Sequence, residues 1–434
     1  MQNKTLFIVL LSLIPVVIMC SKGGGGDAAD SQLSLANFYS LDDLSNLAKN
    51  SGKTPSYSTS GSENGLISMG DLSTCVVMTS GKIKCWGFNG SFQLGNTQAV
   101  TANQQTPVYT NILNDNAVAV SAALNHTCAY LIAGGMKCWG SQNNGKLGNK
   151  INTNTYANTP QDVVNLNGNQ IKMMVTGDEH VCVLFSGTQQ VMCWGANNKG
   201  QLAQNYTNSS DPPVIAGVNI ALPESVKLIA TSDDSVCAIT ISGNLYCWGS
   251  NITQSTNPNP VLIDSGVKNI SSGEKDHFCY ISANDFVNCF GINDKMQLGS
   301  STINTTFVKT PVKVPNLVNV TAIVAGAFHS CAISDNNASV YCWGDNSLGQ
   351  LGSSNSVPSQ SNIPLKVVGL PANKVIDIAA GDRVTCTLHD NDDVFCWGNN
   401  NAPTTPGSYG DFLGVKNPPS FSNTAIKILN RNDQ

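Results

Sequence analysis

Cysteine is the residue of this chain best equipped for chemistry, as nucleophile, metal ligand or disulfide, and its spacing is regular. Fourteen of fifteen cysteines fall in seven short stretches: CVVMTSGKIKCWG (75–87), CAYLIAGGMKCWG (128–140), CVLFSGTQQVMCWG (182–195), CAITISGNLYCWG (237–249), CYISANDFVNCFG (279–291), CAISDNNASVYCWG (331–344) and CTLHDNDDVFCWG (386–398). In each, nine or ten residues separate the two cysteines, and an aromatic residue and a glycine follow the second. Zinc is one reading, but zinc sites place two to four residues between paired cysteines, and no such pair occurs. Disulfides fit better. Both segments are β-rich and flank a Gly/Asn/Asp turn, so the cysteines can oppose one another across a hairpin, where Cα atoms lie about 4.5–5.5 Å apart and an S–S bond can form. The expected pairs are Cys75–Cys85, Cys128–Cys138, Cys182–Cys193, Cys237–Cys247, Cys279–Cys289, Cys331–Cys342 and Cys386–Cys396. Each short staple stabilises by roughly 2–4 kcal/mol at most, and together they leave no thiol nucleophile in the repeats.

Other reactive types give weaker patterns. His126, His180, His277 and His329 each lie two residues before a first cysteine, whereas His389 is out of register. They suit either a metal or acid–base set or hydrogen bonding within each unit. GSQNNGKLG (140–148) approaches a phosphate-binding loop, but Leu147 stands where a hydroxyl residue would hold magnesium, and no helix pattern follows. Acidic pairs occur at Asp178-Glu179, Asp233-Asp234 and Asp392-Asp393. Strand neighbours point to opposite faces, so these do not read as a paired-carboxylate glycosidase site. No G-x-S-x-G elbow occurs. The reading is non-enzymatic, with no catalytic residues, no metal and no cofactor.

The second cysteines, at 85, 138, 193, 247, 289, 342 and 396, are spaced by 53, 55, 54, 42, 53 and 54 residues, the mark of a repeat architecture. Each unit begins with an apolar stretch that often ends in glycine, such as VIDIAAG (375–381) or TAIVAG (321–326). The two cysteine strands follow, then a polar linker and another apolar stretch after a proline, such as PLKVV (364–368). Seven four-strand units predict an all-β, seven-bladed β-propeller over residues 65–434. All six tryptophans directly follow a second cysteine, so they point to the opposite sheet face and are expected to pack between blades; blade five has Phe290 instead. GLISMG (65–70) offers blade one only a short first strand. AIKILN (425–430) has the apolar character of that same position, which predicts that the two chain ends share blade one and hide its edges.

At GAFHSCAISDNNASVYCWGDNSLGQLG (326–352) the chain resembles the regulator of chromosome condensation repeat, with its G-x-x-H-x-C-A, W-G-x-N and G-Q-L-G elements. The tail recurs as FQLG (92–95), GKLG (145–148), GQLA (200–203) and MQLG (296–299). It is missing from blade four, whose short linker gives the 42-residue spacing, and it reads as lost from blade seven. The resemblance covers about 65–434 and implies a seven-bladed propeller whose histidines hydrogen-bond inside their own blades. Relatives in the family include exchange factors for a small nuclear GTPase and a secreted inhibitor of β-lactamases. Exchange activity is not expected of an exported, disulfide-stapled chain, whereas inhibition of an enzyme is compatible with one.

Export is the reading of the first residues. Lys4, an apolar run and VIMC ending at Cys20 resemble a bacterial lipoprotein signal. This predicts a signal peptide over 1–19, lipidated Cys20, a flexible tether over 20–64, and a bacterial envelope location at the outer membrane or cell surface. An ordinary signal peptide or an uncleaved anchor would export the chain equally. The net charge is −5, charged residues are 12% against about 25% in usual soluble proteins, and Arg383 and Arg431 are the only arginines. Nucleic acid is therefore excluded as a partner, since its affinity comes largely from Lys and Arg. Five of seven linkers span 21 residues from aromatic to proline while their sequences differ, which suits recognition loops on a rigid monomeric scaffold. Phe88, Phe92, Tyr206 and Tyr409 are candidate anchors for a protein or glycan partner. The alternatives are an envelope lyase or glycosidase, which perturbed carboxylates near the axis would favour, and a purely structural envelope component.

Overall fold

Seven four-stranded antiparallel sheets follow one another along the chain, as blades spanning 67–109, 117–162, 171–219, 226–264, 267–313, 322–366 and 375–430. The computed structural model describes residues 65–96, 103–110, 116–166, 168–204, 214–249, 259–300, 306–354, 359–400, 413–415 and 420–433. First strands line the axis. Each contacts the next, and that of blade seven (Val375–Ala380) meets that of blade one (Ile67–Met69) to close the ring. These strands are rich in small and β-branched residues (AVAVSA, AIVA, VIDIAA), which lets seven of them crowd one axis. The glycine at the end of many of them serves the same purpose. A Cβ on Gly273 would lie 2.2 Å from the Gly326 carbonyl oxygen, and one on Gly326 would lie 2.5 Å from that of Gly381. Backbone meets backbone there, with no room for a side chain.

Second and third strands carry the cysteines directly opposite one another, as at Cys75–Cys85 and Cys386–Cys396. All seven within-blade pairs are bonded, with Cα atoms 4.1 Å apart, slightly closer than a regular strand pair.

The tryptophan after each second cysteine docks onto the preceding blade. At five junctions indole Nε1 donates to a tail carbonyl of that blade at 2.9 Å: Trp139 to Gln93, Trp194 to Lys146, Trp248 to Gln201, Trp343 to Gln297 and Trp397 to Gln350. Trp86 Nε1 is buried without a hydrogen-bond partner among the described residues. The rings sit in the preceding blade's core, at most 3% exposed. Blade four lacks the tail, and blade five is the blade that lacks the tryptophan. Phe290 needs no acceptor, and it stacks on Phe278 with centroids 5.3 Å apart.

Two expectations need correction. Blade seven keeps its tail, as Leu413 and Gly414. Leu413 is fully buried and its N–H donates to Asn400 Oδ1 at 2.8 Å, as Leu94 does to Asn89 and Leu351 to Asn346. Gly414 packs against the Trp86 indole. A longer insertion between Asn400 and Leu413 hides the motif in the sequence. Nor do the chain ends share a blade: Phe421–Asn430 is the outer strand of blade seven, paired with Asp393–Asn399, and Ile67–Met69 alone supplies the first strand of blade one. Apolar character is common to inner and outer strands, so it did not discriminate between them.

Closure falls to side chains and a turn. Arg431 is buried; its Nε donates to the Val77 carbonyl of blade one at 2.6 Å and its Nη1 pairs with Asp392 of blade seven at 2.9 Å. Thr79 N–H donates to the Arg431 carbonyl at 3.2 Å. Deleting residues 424–434 removes this bolt and most of an outer strand, exposing a sheet edge. The expected outcome is a lower thermal midpoint and loss of monomer on size exclusion. An unchanged midpoint with a monomeric product would show that the ring closes without it.

Candidate functional site

In every blade the chain turns at the axis between first and second strands. The residue opening that turn is Asp71, Leu124, Asp178, Asp233, Glu274, Ala327 or Asp382 in blades one to seven, so five of the seven are acidic. Backbone bonds between neighbouring turns fix some of them: Asp233 N–H donates to the Glu274 carbonyl at 3.2 Å, and Asp382 N–H to that of Asp71 at 3.2 Å. Carboxylate oxygens of Asp71, Asp178 and Asp233 lie within 4.8 Å of one another. With Glu274 they line an axial cavity of about 50 Å³, walled by Gly70, Ser121, Thr176 and Ser232 among others.

Blade five has one extra turn residue, which brings Lys275 in. Its Nζ lies 2.6 Å from Asp233 and 3.6 Å from Asp71. Burial opposes its charge, but the Asp71 and Asp233 carboxylates outweigh that and keep it firmly protonated. One ammonium does not neutralise the set. Burial, followed by the repulsion of Asp71, pushes Asp233 up to about 7, and burial raises Asp382 to about 6 against the pull of Arg383. Burial and neighbouring carboxylates raise Asp178 and Glu274 well above the ordinary carboxylate range. Both Glu274 carboxylate oxygens are buried and have no hydrogen-bond partner.

The same end of the barrel carries the long linkers. In six blades the described residue starting the linker donates to the axial turn of its own blade, for example Phe88 to Leu72 at 2.8 Å, Ala196 to Glu179 at 2.8 Å, Asp345 to Phe328 at 2.9 Å and Asn399 to Arg383 at 2.9 Å. The acidic cavity is thus the centre of the loop-bearing face.

Against this geometry, the Regulator of chromosome condensation (RCC1) repeat matches residues 134–184, 287–333 and 337–388, and a second form of that repeat matches 66–93, 226–252, 320–350 and 375–402, together more than half the chain. The chain belongs to the RCC1 repeat family. It is 28% identical over 353 residues to the ultraviolet-B receptor UVR8 of Arabidopsis thaliana, covering 77% of this chain and 76% of that protein. It is 26% identical to the E3 ubiquitin-protein ligase HERC2 of Homo sapiens over 74% of this chain but 7% of that protein. In fold it is similar to yeast RCC1 (Prp20), solved bound to Kap60, with a TM-score of 0.70 at 17% identity over 96% of this chain and 91% of that one. Human WBSCR16 is similar too, with a TM-score of 0.68 at 17% identity over 80% and 94%.

The RCC1-repeat histidines bond outward to the next blade, a correction to the within-blade expectation. His180 Nε2 meets Thr231 Oγ1 at 2.6 Å, His277 Nε2 meets Ser330 Oγ at 3.0 Å, and His329 Nε2 meets Thr385 Oγ1 at 2.7 Å. Ser330 and Thr385 in turn donate to the tail carbonyls of Gln297 and Gln350, so the histidines are assigned as Nε2–H donors. His126 has no such partner, because Val181 occupies the corresponding position of the next blade. Burial lowers His180, His277 and His329 to about 3, so they are neutral interblade ties. Among the described residues, the one set of acidic, cysteine or histidine side chains close enough to share an ion is the axial aspartate trio. Lys146 of the near-phosphate loop is buried and paired with Glu179 at 2.7 Å, a structural role.

Of the anchor candidates, Phe88 is half-buried, its ring folded against Gly90, whereas Phe92 lies against Tyr156 with centroids 6.0 Å apart and planes tilted by 49°; Tyr156 is 51% exposed. Tyr206, Tyr409 and Cys20 lie outside the described residues. The sequence reading missed both Tyr156 and the convergence of the axial carboxylates.

The pH response should show both buried sets. Asp233 has a folded pKa near 7 against an ordinary value of about 3.9, so the folded state holds more protons and stability falls as pH rises through that window. Histidines act oppositely, losing stability as pH falls from about 6.5 toward 3. Over pH 8 to 6.5 the unfolded histidines already begin to take up protons, so the two sets oppose one another and the carboxylate share is read by difference. In chelator-containing buffer, lowering the pH from 8 to 6.5 should raise the thermal midpoint of wild type relative to that of Asp233→Asn. An unchanged difference between the two over this range would contradict the assignment.

Proposed function

We propose that this protein is a non-enzymatic, envelope-anchored binding protein that presents the loop-bearing propeller face to a protein partner. The observation that carries the reading is the tie between linker and axial turn, repeated from blade to blade, which gathers variable loops on one face of a disulfide-stapled ring. A fold relative, yeast Prp20, is solved bound to the protein Kap60. Phe92 and Tyr156 form an aromatic pair on that face, and aromatic anchors often dominate protein interfaces.

The perturbed axial carboxylates favour a second reading, an envelope lyase or glycosidase. Size weighs against it. The cavity of about 50 Å³ holds an ion or a few waters, whereas small-molecule sites occupy roughly 300–1,000 Å³.

Capture of partners from envelope and host extracts tests the reading. Tyr156→Ser with Phe92→Ser should reduce retention of a captured protein at least about tenfold, the range of an interface anchor. Ile241→Ser, at the hairpin turn on the opposite face, should leave it unchanged. Retention lost through Ile241, or no saturable partner at all, would overturn the proposal.

Anchoring rests on VIMC and the apolar run before it. Mass spectrometry of the protein from membranes should find Cys20 as the acylated N-terminus. An unmodified terminus downstream of Cys20 would leave export standing and remove the lipid anchor.

A further inference from the structure

We infer that the axial cluster is a binding site for one divalent cation of the calcium type, held by Asp71, Asp178 and Asp233, with Glu274 on the wall of the same cavity. Four carboxylates converge on a cavity that offers them one ammonium, from Lys275. Both Glu274 oxygens and Asp71 Oδ1 are buried and lack any partner. Buried carboxylate oxygens are costly unless paired with a cation, a donor or a proton.

The geometry suits an ion. Oxygens bound to one calcium at about 2.3–2.6 Å can lie no more than about 5.2 Å apart, and those of the aspartate trio fall within 4.8 Å. A cavity of about 50 Å³ has room for the ion and a water. The donor set is oxygen only, since the repeat cysteines are in disulfides and the histidines face neighbouring blades. That excludes zinc by preference, and the irregular arrangement on separate turns suits calcium better than octahedral magnesium. Lys275 does not block entry. It holds Oδ2 of Asp71 and Asp233, leaving Asp71 Oδ1 for the ion, and its side chain is 38% exposed and can swing outward. Carboxylates ligate a metal only when ionised, so acid competes with the ion for them and affinity is expected to be higher at pH 8 than at pH 5.5.

The test uses the full chain stripped with chelator and titrated with calcium chloride or magnesium chloride by calorimetry, at pH 8 and pH 5.5. One calcium per chain should bind, more tightly than magnesium and more tightly at pH 8, with an apparent enthalpy that changes with buffer ionisation as protons leave. Asp178→Asn should weaken calcium by at least about tenfold. It removes a repelling charge, so its metal-free thermal midpoint should not fall below wild type, which checks folding independently. Asp162→Asn, an exposed acid paired with Lys137, should leave the affinity unchanged. No saturable heat at millimolar calcium, or equal affinity in Asp178→Asn, would overturn the site. A midpoint that responds to pH and not to calcium would show that the cluster holds only protons.

Discussion

An indole N–H reaching back to a carbonyl of the preceding blade, at five of the seven junctions, is the interaction on which the ring depends. Each blade alone has apolar surface on both faces and would be an unstable four-stranded sheet. Burying a tryptophan in the neighbour's core supplies a large apolar contact, and the 2.9 Å bond fixes where it lands. The acceptor is a main-chain carbonyl of a tightly turned tail, held by the asparagine-to-leucine bond seen at Asn89–Leu94 and Asn346–Leu351. Threonine or serine at the second-strand start shares the same carbonyl, and a histidine of the preceding blade joins it at two junctions. Tail, tryptophan, hydroxyl and histidine therefore form one device. At blade five there is no tail in blade four to accept, and phenylalanine leaves no indole N–H to satisfy; the ring tolerates one such orphan, at the closing junction, where Trp86 Nε1 is buried without a hydrogen-bond partner among the described residues.

The disulfides do a different job. Their bonds lie inside blades and fix each hairpin, so they put no covalent link between blades, although the sulfurs pack in the seam, as Cys279 Sγ does at 3.6 Å from Ser330 Oγ of the next blade. The two levels are separable: covalent staples set the local register, and the indole docking sets the ring.

Most of this was legible because it repeats. Seven cysteine pairs, six tryptophans and recurring tails announced blade number and register, since a signal seen at one position is checked at six others. What failed to show was whatever broke the period. Leu413–Gly414 was displaced by an insertion, and Asp71, Asp178, Asp233 and Glu274 are isolated acids in separate turns, with blade five shifted by a residue. Only ring closure brings the three aspartates within 4.8 Å and sets Glu274 on the same cavity, and no local pattern encodes that. Phe421–Asn430 was misplaced for a related reason: hydrophobicity reports burial, and both the axis and the interblade seam bury side chains. Sequence also could not show which neighbour each histidine would choose, because its partner lies a whole blade away.

Contiguous blades give the molecule a mechanical polarity. Both ends of the described chain meet at the junction of blades seven and one, where Ile67 N–H reaches Asp377 at 3.3 Å and Arg431 reaches Val77. No strand crosses that junction, so a pull between the termini acts on it as a peel, breaking few bonds at a time. Every other junction is bridged by continuous backbone and is loaded only after that one yields. Once a blade does come away, its disulfide keeps the hairpin closed, and the chain can lengthen only outside the staples. Such a ring opens at a known place, extends in short steps, and retains in every detached unit the cross-link that aligns its strands for return.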